Sequence, residues 1–104
     1  MELTTITKES INREIDFCTD FIDTKKDELS KFEEKFRRLT ERLNVLTTIE
    51  EKLPEGLSKK LTQHNITVVA NERFELAPKL SNLKSNIEGY YTIIDSLVDL
   101  RSEI

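Results

Sequence analysis

The sequence predicts an all-α fold: a long coiled-coil helix, a break, and a second heptad helix that folds back as an antiparallel helical hairpin or bundle. Apolar residues recur with alternating steps of four and three, the spacing of a helical seam that packs against other helices. Charged residues make up 35% of the 104 residues and hydrophobic residues 37%, with two glycines and two prolines. This composition is typical of long helices. The segment Leu53-Pro-Glu-Gly-Leu57 is the one clear interruption.

The first helix is predicted over residues 7–53, after an N-terminal tail of residues 1–6. Thr7 is the favoured N-cap and Ser10 the alternative, because a hydroxyl there accepts a hydrogen bond from an otherwise unpaired amide of the first turn. No glycine or proline occurs before the break. The a and d positions of the repeat are Ile11, Ile15, Cys18, Ile22, Lys25, Leu29, Phe32, Phe36, Leu39, Leu43 and Leu46.

This apolar seam predicts contact with helices of other protein subunits or of a second copy of the chain. Phe17 and Phe21 lie just outside the seam and widen its apolar face. Since the second helix is predicted to be much shorter than the first, part of the seam is expected to remain uncovered within one chain. The predicted partner-binding residues are Ile11, Ile15, Phe17, Cys18, Phe21, Ile22, Leu29, Phe32, Phe36, Leu39, Leu43 and Leu46.

Residues 54–77 are predicted to form a turn and a connector whose conformation is left open. Pro54 ends the first helix and Gly56 permits a reversal. Residues 66–76 fit either a small β-hairpin, because β-branched residues favour strands, or a helix capped by Asn65. The second helix is predicted over residues 78–104, with Pro78 in its first turn. Its heptad positions are Leu76, Leu80, Leu83, Ile87, Tyr90, Ile94, Leu97, Arg101 and Ile104.

The residue types that carry catalysis or bind metals are sparse, and neither an enzyme nor a cofactor or metal site is expected. His64 is the only histidine and is expected in a solvent-exposed linker, without a second ligand at metal-binding spacing. Cys18, at a d position, is expected to be a buried hydrophobic residue. Lys25 is the polar exception in the seam; it either pairs with an acidic residue of a partner helix or extends outward.

Charge argues against nucleic acid as a partner, because the formal net charge is −4. Lys31, Lys35, Arg38 and Arg42 share one side of the first helix, where acidic neighbours offset them, so contact with an acidic membrane surface is a minor alternative. Pairs at helical spacing are expected between Asp27 and Lys31, Glu33 and Arg37, and Glu34 and Arg38. With no membrane span or secretory signal in view, the expected location is the cytoplasm.

An aromatic pair spaced by four precedes a leucine heptad in the first half of the chain. The residues of this pattern are Asp16–Phe21, Thr24–Leu29, Phe32, Glu34–Phe36, Leu39 and Arg42–Leu46. Over about residues 6–53 the chain thereby resembles the small Brick-type coiled-coil subunit of the WAVE/SCAR complex and is similar to the small coiled-coil subunit of the WASH complex. The match departs from the Brick pattern at some small or aliphatic positions and in the fifty residues that follow.

The resemblance implies a helix bundled with larger scaffold subunits that regulate actin nucleation. The expected function is thus that of a non-catalytic coiled-coil subunit of a cytoplasmic multi-protein complex. The resemblance implies that this complex is a cytoskeletal, actin-regulatory assembly. The alternatives are a subunit of a vesicle-tethering or kinetochore-type complex, a prefoldin-like chaperone subunit with a β-hairpin at residues 66–76, and a self-sufficient homodimer.

Overall fold

A computed structural model describes residues 5–104 and has two helices, α1 (Lys8–Lys52) and α2 (Leu57–Glu103). The helices pack against each other as an all-α helical hairpin, and residues 5–104 contain no strand. This confirms the predicted fold class. Of the predicted N-terminal tail, residues 1–4 lie outside the described residues, and Thr5 and Ile6 precede α1 without helical structure.

Helix α1 begins with a reciprocal cap made by two hydroxyl side chains. The Ser10 amide donates to Thr7 Oγ1 at 3.0 Å, and the Thr7 amide donates to Ser10 Oγ at 3.0 Å. This is the geometry of a capping box in which serine replaces the usual glutamate. The prediction of Thr7 as the N-cap is confirmed.

The break between the helices is a tight turn of residues 53–56. The Leu53 amide donates to the Glu50 carbonyl at 3.3 Å, which closes the last turn of α1. Gly56 has a φ of +149°, in a region where a side chain is disfavoured, and its carbonyl accepts from the Lys60 amide in the first turn of α2. Pro54 and Gly56 therefore end one helix and allow the next, as predicted.

The predicted connector and the start of the second helix were wrong. Helix α2 begins at Leu57 rather than at residue 78, and residues 66–76 are helical, which excludes the β-hairpin alternative. The heptad register of residues 76–104, continued backward, runs without interruption through Arg73, Val69 and Ile66. Val69 has no exposed surface. Burial of this seam outweighs the strand preference of the β-branched residues, which depends strongly on context.

Pro78 lies inside α2 rather than in its first turn. A proline there lacks the amide that would bond to the carbonyl of Phe74, and an interior proline costs about 3 kcal/mol. Leu76 and Leu83, on either side of it in the same seam, are buried. Packing on both sides of Pro78 offsets its cost and keeps α2 continuous.

Two compact units make up the chain, and each contains part of both helices. In the unit of residues 29–82, Leu39, Val69 and Leu76 form the core, against which Phe32, Phe36, Leu43 and Leu46 pack. In the unit of residues 5–28 and 83–104, the Arg101 guanidinium donates to Asn12 Oδ1 at 2.7 Å. The buried residues of this unit, which we call the first unit, are Ile11, Cys18, Ile22, Leu83 and Ile87; residues 29–82 are the second unit.

The two helices are matched in length, with 45 residues in α1 and 47 in α2. The expectation that a short second helix leaves part of the α1 seam uncovered is therefore wrong. The exposed large apolar side chains of α1 lie beside the seam.

Candidate functional site

The predicted seam residues of α1 form the interior of the hairpin. Ile11, Cys18, Ile22 and Leu39 are buried. Six others are half-buried: Ile15, Leu29, Phe32, Phe36, Leu43 and Leu46. Helix α2 of the same chain packs against this seam, and contact of these residues with a further partner stays a prediction.

Phe17 and Phe21 differ from the seam residues in being 58% and 50% exposed. The Phe21 ring stacks on Tyr90, with centroids 5.4 Å apart and an interplanar angle of 13°. Beside this stack is a shallow groove of about 290 Å³, lined by Ser85, Asn86, Gly89, Tyr90 and Ile93. A Cβ at Gly89 would meet no atom within 4 Å, so the groove floor there is open. The aromatic pair is thus available to a neighbouring side chain.

Val45 and Ile49 are a second exposed apolar pair on α1, 65% and 46% exposed. They occupy the same heptad positions as Phe17 and Phe21, four heptads further along the sequence. These are the c position, which precedes each d residue, and the g position, which precedes each a residue. We call this set the outer stripe of α1; it consists of Glu14, Phe17, Phe21, Thr24, Glu28, Lys31, Lys35, Arg38, Arg42, Val45, Ile49 and Lys52.

Charge divides the outer stripe into an acidic part and a basic part. In the first unit its charged members are Glu14 and Glu28, which flank the two phenylalanines. In the second unit its charged members are all basic, and all of them are exposed: Lys31, Lys35, Arg38, Arg42 and Lys52. The four basic residues singled out from the sequence therefore belong to the same stripe as the exposed apolar residues.

Two glutamates beside the basic part of the stripe form ion pairs with arginines. Arg38 Nε donates to Glu34 at 3.0 Å, which confirms the predicted pair. Arg37 bonds to Glu34 and Glu41 instead of the predicted Glu33. Hydrogen bonding from Arg37, then from Arg38, lowers the pKa of Glu34. The predicted Asp27–Lys31 pair does not form among the described residues, and Lys31 remains exposed.

A separate apolar surface lies on the second unit around Phe74, which is 79% exposed. A depression of about 230 Å³ beside it is lined by Phe36, Leu43, Ala70, Arg73, Phe74 and Ala77, which we call the Phe74 surface. The Arg73 guanidinium lies 5.4 Å from the Phe36 ring centroid and donates to Thr40 at 3.4 Å. Sequence reasoning missed this surface because residues 57–77 were left without a register. Continuing the later heptads backward places Phe74 outside the α2 seam and so predicts that its side chain is exposed.

Cys18, Lys25 and His64 are the side chains whose types could carry chemistry. Cys18 is 3% exposed, and burial, with a smaller effect of Glu14, raises the pKa of its thiol. Lys25 is half-buried and its ammonium lies 4.0 Å from Glu28 of the same helix, so it extends outward along α1. His64 is exposed, as predicted, but within α2 instead of a linker. No group of three potential metal ligands occurs in the part of the chain that the structure describes.

The fold defines a helical-hairpin protein with exposed apolar surfaces on both units. Compared with known proteins, the chain matches no family model, no curated protein and no solved structure. Neither described helix has an apolar stretch of the length needed to cross a membrane.

Proposed function

We propose that this chain is a non-catalytic helical subunit that joins a larger protein assembly through the surfaces its own hairpin leaves open. The observation that carries the proposal is the exposure of large apolar side chains beside the covered seam. Exposed apolar side chains that are neighbours on a helix surface, as residues four apart are, mark interaction sites in proteins.

The exposed apolar residues recur at positions where a helix can dock. On α1 they are the Phe17/Phe21 and Val45/Ile49 pairs, and on α2 Phe74 stands beside a depression. Helices pack by placing side chains of one into the spaces between side chains of the other. A pair of apolar residues spaced by four, or a depression beside an exposed ring, offers such spaces.

The finer proposal is a cytoplasmic, actin-regulatory assembly of the WAVE/SCAR or WASH kind. It is supported by the resemblance of residues 6–53 and by the exposure of the aromatic pair that the resemblance singles out. The alternative is a subunit of a vesicle-tethering or kinetochore-type coiled-coil complex, which would also assemble by helix packing. The chaperone alternative depended on a β-hairpin at residues 66–76, and because this segment is helical it is not carried forward.

Recovery of partners from the cells that make the protein tests the proposal. Affinity-tagged chains are isolated as wild type, Phe74→Asp and His64→Asp, and the recovered proteins are identified by mass spectrometry. Both replaced residues are exposed on α2, so each variant adds the same charge to the same helix. We expect a defined set of proteins to be lost with Phe74→Asp and kept with His64→Asp, with equal helicity of both variants by circular dichroism.

Recovery of no protein beyond those found with the tag alone would contradict a subunit role. Recovery of the same proteins by all three chains would contradict docking at the Phe74 surface.

A further inference from the structure

We propose that the outer stripe of α1 binds the outer stripe of a second copy of this chain in antiparallel orientation. The inference rests on the proposed function and names the occupant of one of its surfaces. In this arrangement the acidic–aromatic part of one copy meets the basic–aliphatic part of the other.

The sequence spacing makes the stripe self-complementary when it is reversed. Pairing Phe21 with Val45 of the second copy also pairs Phe17 with Ile49. The same register pairs each c position of one copy with a g position of the other. Facing a and d residues alternate in the same way in an antiparallel coiled coil. A single register therefore pairs c with g positions along the whole stripe.

Charge complementarity supports the second copy as the occupant. The register that joins the apolar pairs also places Glu28 opposite Arg38 and Glu14 opposite Lys52. Arg38 is 74% exposed and the Glu28 side chain is 46% exposed, so both are accessible. Only Lys31 and Lys35 face like charges, at the centre, where their long stems let the ammonium groups reach water.

A parallel pairing lacks this complementarity. In register, each residue of the stripe would meet its own copy, so Lys31, Lys35, Arg38, Arg42 and Lys52 would all face like charges. Like-charge contacts suppress an arrangement more strongly than surface pairs favour one. A reciprocal contact between two identical patches is also the usual form of a homodimer.

A charge-swap series measured by light scattering and sedimentation tests the pairing. We expect the wild type to have twice the 12.2 kDa chain mass at micromolar concentration. Arg38→Glu should weaken dimerisation about tenfold or more, because each substitution occurs twice in the dimer. Adding Glu28→Arg to Arg38→Glu should restore it. Lys60→Glu, a reversal at an exposed residue of α2 outside the stripe, should leave it unchanged.

Thiol cross-linking tests the direction of the two helices. Thr24 and Arg42 face each other between copies in the proposed register but lie roughly 27 Å apart along one helix, too far for a disulfide within a chain. Mild oxidation of the Thr24→Cys, Arg42→Cys chain should therefore link two chains. Thr24→Cys alone should give no linked dimer, and the wild type, whose Cys18 is buried, serves as the control.

Three outcomes would overturn the pairing: a monomeric wild type, a double charge swap no better than the single one, or linkage by Thr24→Cys alone. A monomer that still recovers proteins through Phe74 would overturn the pairing and leave the proposed function standing. A dimer that recovers no other protein would support the pairing and contradict the wider subunit role.

Discussion

The reactivity of a side chain on α1 depends on whether α2 covers it. Cys18 is the clearest example, because it is a d residue of the seam and its thiol is buried with a raised pKa. A thiol of this kind stays protonated at neutral pH, and the thiolate is the reactive form. Its role is that of a small apolar residue between the helices.

Alkylation of Cys18 should accordingly depend on unfolding. With iodoacetamide at neutral pH, we expect the folded chain to react at least about tenfold more slowly than the chain in guanidinium chloride. Mass spectrometry over time measures both rates. Equal rates would show that Cys18 is not in the covered seam.

Glu34 provides a pH-dependent test of the surface network. Because Arg37 and then Arg38 lower its pKa in the folded chain, the folded state holds fewer protons on this carboxylate than the unfolded state as acid is added. The stabilising contribution is complete above the unfolded pKa and is lost as the pH falls through the folded pKa. We expect NMR titration to give Glu34 a midpoint below that of an ordinary glutamate, and Arg37→Ala to raise it.

Arg13→Ala is the matched control for this titration, since Arg13 pairs with Glu9. It should leave the Glu34 midpoint where it was. An unchanged midpoint in Arg37→Ala would contradict the assigned cause.

Helix α2 is continuous because a single heptad register runs along its whole length. Its seam has Lys59, Thr62 and Arg73 at positions where apolar residues are usual, and Pro78 in its interior. These residues hide the repeat from inspection of the sequence. The helix forms because Val69, Leu76 and Leu83 are buried on the same face.

Replacing Pro78 by alanine should stabilise the chain. The substitution restores an amide that can bond to the Phe74 carbonyl and removes a residue that costs about 3 kcal/mol inside a helix. We expect the free energy of unfolding to rise by about 1–3 kcal/mol in urea titrations. Pro54→Ala, in the turn between the helices, should show no comparable gain, and a loss of stability in Pro78→Ala would contradict an interior position in a regular helix.

The sequence was sufficient for those elements whose signals are local or strictly periodic. Thr7, the Pro54–Gly56 break and the α1 seam were predicted correctly, because capping, turn chemistry and heptad spacing act within a few residues. Residues 57–77 were not, since their helical structure depends on burial against α1, which outweighs β-branched preference and one proline. The expectation that part of the α1 seam stays uncovered was wrong for the same reason, because the second helix was predicted only from residue 78.

The hairpin as a whole has a narrow core, as expected for a small two-helix chain. Among residues 5–104, Val69 has a fully buried side chain, while several aromatic and aliphatic side chains stay exposed on both units. Covering α1 by α2 of the same chain therefore fills the seam and leaves the outer stripe and the Phe74 surface for other helices. Both proposals require that α2 of the same chain covers the α1 seam and that these two surfaces stay exposed.

A cross-link between Asn12→Cys and Arg101→Cys tests most directly whether α2 of the same chain covers α1, because Arg101 donates to Asn12 at 2.7 Å in the folded chain. With a short bismaleimide, the account predicts a link within one chain whose yield does not change on dilution. Links that form only between chains, with a yield that falls on dilution, would mean that another molecule fills the α1 seam.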